Sequence, residues 1–244
     1  MASVHDLLYA IDNLEKRRQG ARGYRLQMPH FSLRRGEKIA IIGESGCGKS
    51  TALDILGFVL APDACDRFVF QSGQQSWDIL EFFRLKQSER LCSLRLKHVG
   101  YVLQTGELLP FLNVAQNMTL VATMRGMQAE EALDRAQRLA GKLGIAQKMQ
   151  ALPATLSVGE RQRVAIVRAL LPSPEIILAD EPTAALDPMH AQCVMQAFLE
   201  AVDDEGATLI LVSHNVSLVR SHALREWHFV LEESEQGTTA RLMS

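Results

Sequence analysis

Apolar and polar positions alternate over Leu7 to Leu14 and again over Tyr24 to Leu33, the period of half-buried strands. Between them, Lys16-Arg17-Arg18-Gln19-Gly20 reads as a basic, Gly-containing turn on solvated surface. The run Lys38 to Ile42 is short and continuously apolar, as a buried strand is, and Ala52-Leu53-Asp54-Ile55-Leu56 has helical spacing. Residues 68 to 75 resemble a hairpin fragment, 79 to 97 a helix carrying Arg84, Lys86, Arg90, Arg95 and Lys97, and 98 to 103 a further strand. Two helical segments follow. The second repeats Ala129, Leu133, Ala136, Ala140 and Leu143 at three to four residues, with Leu139 beside them. Ser157 followed by Glu160 predicts a capping box at the start of a new helix. Strand 176–179, helix 188–202, strand 208–212 and a last pair near 227–231 and 238–243 complete an alternating α/β order.

With 47% hydrophobic residues in 244, the chain can bury a substantial core. A net charge of −2 gives no electrostatic basis for general nucleic-acid binding, and Glu81 and Glu89 interrupt the cations of 79 to 97, which therefore read as a solvated helix face. The four cysteines form no C-x-x-C pair, so neither zinc nor a disulfide framework is expected. Residues 1 to 6 lack a basic segment followed by an apolar core, and no apolar run matches a bilayer span. A cytoplasmic chain that reaches any membrane through a partner is the expectation.

The pattern Gly43-Glu44-Ser45-Gly46-Cys47-Gly48-Lys49-Ser50-Thr51 stands between an apolar strand and a helix. Glycines permit a loop whose N–H groups turn inward, and the helix N-terminus adds positive potential at the same point, so the loop suits a polyphosphate. Lys49 supplies a charge near the β- and γ-phosphates, and Ser50 a hydroxyl for a bridging Mg²⁺. Lys49 and the helix N-terminus also predict an acidic, reactive thiol at Cys47. Farther on, the apolar strand 176–179 delivers Asp180 and Glu181 at its C-terminal end, where ligands sit in open α/β sheets. Asp180 suits the Mg²⁺, and Glu181, expected to point the other way along the strand, suits the orientation or deprotonation of a water.

Together with this loop and acidic strand, the segment Leu156-Ser157-Val158-Gly159-Glu160-Arg161-Gln162-Arg163 resembles the signature of the nucleotide-binding subunits of ABC transporters, over nearly the whole chain. The resemblance matches Gln104 to a glutamine loop that reaches the metal and the reacting water, Ala185-Leu186-Asp187 to the turn after the catalytic glutamate, and His214 to a switch histidine. Val158 stands where the signature usually has its first glycine. It also implies ATP and Mg²⁺ as ligands and a P-loop NTPase (RecA-like) core with an antiparallel β subdomain and an inserted helical subdomain. The single domain 1–244 then has its core at 1–104 and 158–244 and its helical unit at about 105–157. In such a family two copies stack head to tail, with Ser157, Gly159 and Glu160 of one closing over ATP held by the other. Where the family stacks an aromatic residue on adenine, this chain has Arg18; Tyr24 belongs to the second strand. The subunit would power an integral membrane partner from the inner face, and the finer resemblance is to the lipoprotein-releasing and macrolide-export group. A non-transporting signalling or cell-division complex is the alternative. Leu108 to Leu112, apolar on an expected exposed loop, marks the surface for the membrane partner.

Overall fold

The computed structural model describes residues 6–18, 23–234 and 237–244. In chain order, β1 (Leu7–Arg18), β2 (Tyr24–Arg34) and β3 (Lys38–Ile42) precede α1 (Lys49–Leu56), β4 (Arg67–Ser72), β5 (Gln75–Asp78), α2 (Ile79–Arg84) and α3 (Ser88–His98). Next come β6 (Val99–Val102), α4 (Val114–Met124), α5 (Ala129–Lys142) and α6 (Val158–Leu170). The chain closes with β7 (Ile176–Asp180), α7 (Pro188–Asp204), β8 (Thr208–Ser213), α8 (Val216–Ser221), β9 (Arg225–Ser234) and β10 (Gly237–Met243).

All ten strands join one sheet in the order β5-β4-β1-β2-β10-β9-β3-β8-β7-β6. From β9 to β6 the strands run parallel, while β5, β4, β1 and β2 pair antiparallel. The parallel half is buried on both faces. Ile39, Ile41, Leu178 and Val212 face one core, and Ala40, Ile42, Ala179 and Leu211 face the other, which is why these strands read as unbroken apolar runs. Register decides where the chemistry lies. Ile42 pairs with Ser213, Asp180 with Val212 and Val102 with Ala179, so the residues just past β3, β6, β7 and β8 emerge along one edge.

Four sequence expectations change. Strand β1 runs through the expected turn as far as Arg18, because β2 pairs with it throughout and Asp63 accepts from both the Arg17 N–H and Lys16 Nζ, the latter at 2.9 Å. The helix expected over 79–97 is two helices. Lys86 adopts φ 54°, and the N–H groups of Lys86 and Gln87 reach back to Phe83 and Phe82, a Schellman stop made without glycine. On α5 the buried stripe is Ala132, Ala136, Leu139 and Ala140, continued by Leu143; Ala129 and Leu133 face solvent. Finally, the apolar loop after Gln104 is not uniformly exposed. Leu108 packs on the core and Leu109 is bound through both its backbone groups to the buried Asn117 amide, which leaves Phe111 as its large exposed side chain.

Candidate active site

Gly48 takes φ 96° at the N-cap of α1, and the turn aims Lys49 back across the loop. Lys49 Nζ donates to the carbonyls of Gly43 and Glu44, both at 2.9 Å, and lies 3.6 Å from Glu181 Oε1. Its side chain is only 5% exposed, so its charge is balanced within the site rather than by solvent. Ser45, Gly46, Gly48, Lys49, Ser50 and Thr51 line one wall of a cavity of about 210 Å³, and Gln104, Asp180 and Glu181 line the rest. Residues far apart in sequence are thus gathered around one polar space.

The Ser50 hydroxyl and the Asp180 carboxylate both line the cavity, and the hydroxyl favours the charged form of the acid. Burial raises the Asp180 pKa, and the neighbouring charges of Glu181 and Asp54 push it the same way, against Ser50 and Lys49. Asp54 was not legible as a site neighbour; the Tyr101 hydroxyl donates to it at 3.2 Å, and burial raises the pKa of that phenol. Glu181 lies one residue past β7 and adopts φ 46°, with its N–H bound to Val212 at 3.0 Å. A left-handed glutamate costs about 1–3 kcal/mol unless its surroundings hold it. Here the peptide is fixed to β8, and the carboxylate lies between Lys49 and the His214 ring, whose Nδ1 is 2.7 Å from Oε2. Asp180 and Glu181 therefore serve the same space, rather than opposite sides of a strand.

Ser157, Gly159 and Glu160 do not line this cavity. Ser157 caps α6, accepting from the Glu160 N–H at 3.2 Å, while Glu160 accepts from the Ser157 N–H at 2.7 Å, so the predicted capping box is present. These bonds, with Lys148 nearby, hold the Glu160 carboxyl below the usual carboxylate range. Gly159 lies against Leu186: a Cβ there would stand 3.1 Å from Leu186 Cδ2. Asp187 caps α7 and pairs with His190 at 2.6 Å, on exposed surface.

Two sequence expectations at the loop fare differently. Cys47 is 3% exposed and packs into the core beneath the loop, where desolvation raises its thiol pKa despite Lys49. The expected acidic thiol is therefore overturned, since burial outweighs one nearby cation. Arg18 ends β1 opposite Tyr24, and its side chain lies outside the described residues.

A hydroxyl, a carboxylate and an amide oxygen form a hard oxygen donor set at this cavity. Among the described residues no group of three or more His, Cys, Asp or Glu side chains could hold a metal alone. The donor set present is of the kind that suits a hard divalent cation, which keeps several waters among its ligands.

The sequence profile of the ABC transporter family matches residues 26–184. The chain is 39% identical over 189 residues to the putative hemin import ATP-binding protein HrtA of Staphylococcus haemolyticus, covering 78% of this chain and 81% of that protein. It is 37% identical over 237 residues to the lipoprotein-releasing system ATP-binding protein LolD of Hydrogenovibrio crunogenus, covering 93% and 98%. Its fold superposes on the dimeric post-hydrolysis ATP-binding cassette MJ0796, bound to ADP and Pi, with a TM-score of 0.74 and 28% identity over 91% of this chain and 93% of that one. The chain thus belongs to the ABC transporter family as an ATP-binding and ATP-hydrolysing motor subunit of a transporter complex.

Proposed function

We propose that Glu181 is the base that orients and deprotonates the attacking water, with His214 holding its carboxylate and Lys49 charging the phosphate side. The observation that carries this is the single Glu181 carboxylate held at 3.6 Å from Lys49 and 2.7 Å from His214, at the cavity that also contains the Ser50–Asp180 pair. The amides of Gly46 and Gly48, with Ser45 and Thr51, cradle the phosphates. Ser50, Asp180 and Gln104 would hold Mg²⁺, which would offset the negative charge that develops on the phosphates. On ATP binding Lys49 exchanges the Gly43 and Glu44 carbonyls for phosphate.

Two chains stack head to tail, so that Ser157, Gly159 and Glu160 of one, with Asp187 nearby, cover the nucleotide of the other. Residues 105–157 form the helical unit, at whose end the signature Leu156–Arg163 begins. Among the described residues no helix is long and apolar enough to cross a membrane. The subunit passes its work to an integral membrane partner from the cytoplasmic face, a reading supported by its likeness to ATP-binding proteins of transport systems. The lipoprotein-releasing relative, alike over nearly its full length, supports a partner that acts on lipid-linked or other amphipathic cargo.

The roles are tested with Glu181→Gln. Turnover falls by roughly 10² or more while Mg-ATP still binds, and ATP-dependent dimers accumulate on a sizing column. Turnover near the parent's would place the base elsewhere.

A further inference from the structure

We propose that Tyr24 is a positioning residue for the phosphate loop, its hydroxyl holding the Cys47 carbonyl so that the Gly48 N–H at the other end of the same peptide faces the phosphate cavity. This rests on the phosphate-loop reading given above.

The Tyr24 hydroxyl donates to the Cys47 carbonyl. The peptide joining Cys47 to Gly48 is trans, so its C=O and N–H point in opposite directions. Fixing the carbonyl on the Tyr24 side therefore directs the N–H to the other side, where Gly48 lines the cavity. Something has to fix it. Glycine tolerates both signs of φ, so a flip of this peptide meets little steric resistance at residue 48. Removing the glycine is not an alternative way to rigidify the loop. A Cβ at Gly48 would lie 2.7 Å from Tyr24 Oη and 2.9 Å from Leu26 Cδ1. The phenol thus occupies the space that a side chain at 48 would need, and supplies by a hydrogen bond the order that a Cβ would have given.

Tyr24 is suited to this because its own backbone is held on both edges. It pairs with Arg18 of β1 on one side and Thr238 of β10 on the other, and the adjoining Gly23 carbonyl accepts from the Thr238 N–H at 3.1 Å. The sheet therefore carries a post against the loop. An amide directed at phosphate is used in the ground state and the transition state alike, so its loss appears as weaker binding more than slower chemistry.

The test is Tyr24→Phe, which keeps the ring beside Gly48 and removes the donor, with Tyr24→Met as a second variant. The Kd for Mg-ADP and the KM for ATP rise together by about fivefold, the effect of one net hydrogen bond, while kcat changes less than twofold. In protein labelled with ¹⁵N-glycine, the Gly48 amide broadens in the variant because the peptide now exchanges between orientations. Ligand-free thermal midpoints establish that each variant is folded. Unchanged Kd and KM with an unchanged Gly48 resonance overturn the proposal, as does a fall in kcat at constant KM. Lys49→Ala is measured in parallel with Mg-ADP. If it retains parental affinity, the phosphate-loop reading itself fails; if it loses affinity and Tyr24→Phe does not, only the role of Tyr24 fails.

Discussion

The loop around Lys49 and the start of α6 are both helix N-termini rich in polar groups, yet they satisfy those groups in opposite ways. At the loop, Lys49, Ser50, Asp180 and Glu181 line one cavity, with Lys49 bonded to carbonyls contributed by a strand end, and little of Lys49 or Glu181 meets solvent. At α6, Ser157 and Glu160 close a capping box between themselves, while Val158 stays 40% exposed and Gly159, half-buried beside Leu186, has no side chain of its own. Even their carboxylates move apart: burial raises the Asp180 pKa, and hydrogen bonds lower that of Glu160. The first region is a site built within one chain. The second is a surface finished on its own side and open on the other, the form expected of a part that acts on a second copy.

Gly159→Asp breaks this comparison most severely. A carboxylate facing the γ-phosphate of the opposite chain, at about 4 Å and an effective dielectric near 20, costs on the order of 4 kcal/mol, roughly a 10³-fold loss of closed dimer. Its Cβ also presses on Leu186 from within the same chain. Calorimetry on the isolated subunit still shows ATP binding through Lys49 and Ser50, whereas ATP-driven dimerisation and turnover collapse. A mixed dimer of Gly159→Asp with Lys49→Ala retains one intact loop opposite one intact signature, and traps one ATP. Finding none while the two chains still pair would refute the cross-chain geometry.

Ser157→Ala sharpens the contrast at smaller cost. Loss of the cap removes about 1 kcal/mol, lowering the thermal midpoint by roughly 2–4 °C, with ATP affinity of the single subunit unchanged. The Glu160 half of the box has a pH signature. Its carboxyl is held below the ordinary value of 4.5, so its contribution is complete above that value and is lost only as pH falls through the lowered one. Thermal midpoints taken from pH 7 downward therefore show an acid step that Glu160→Gln lacks. A step that persists in the variant would assign it to another carboxylate.

The smallest expected effect separates the inside of the loop from its surface. Maleimide at neutral pH labels the exposed Cys92 and Cys193 ahead of the buried Cys47, and ATP hydrolysis survives the first labelling. Peptide mass mapping that finds Cys47 modified first, with activity lost, would mean that the loop opens far enough to expose its core side.

Local patterns were read well where local physics controls them. The capping box from Ser157 to Glu160 spans four residues and forms as its sequence predicts. The apolar runs of β3, β7 and β8 became buried strands because nothing polar interrupts them. Reading failed where a distant element intervened. Lys16 to Arg18 looked like a turn until β2 and Asp63 supplied partners, and Lys86 ended α2 in a conformation its side chain does not advertise. The stripe on α5 slipped by one position on one side, since Ala132 and Leu133 are both apolar and only packing chooses between them.

The sequence alone determined which groups the site would contain. A glycine-rich loop ending in Lys49 and Ser50, an apolar strand ending in Asp180 and Glu181, and a histidine after the next strand specify phosphate chemistry by residue type and spacing. Only the tertiary structure decided how those groups are held. Parallel register brought four strand ends to one edge, set Glu181 between Lys49 and His214, carried Cys47 into the core and placed the Tyr24 hydroxyl on the loop carbonyl. Each of these depends on contacts between segments far apart in the chain, where burial and orientation, rather than residue identity, set a side chain's charge and reach.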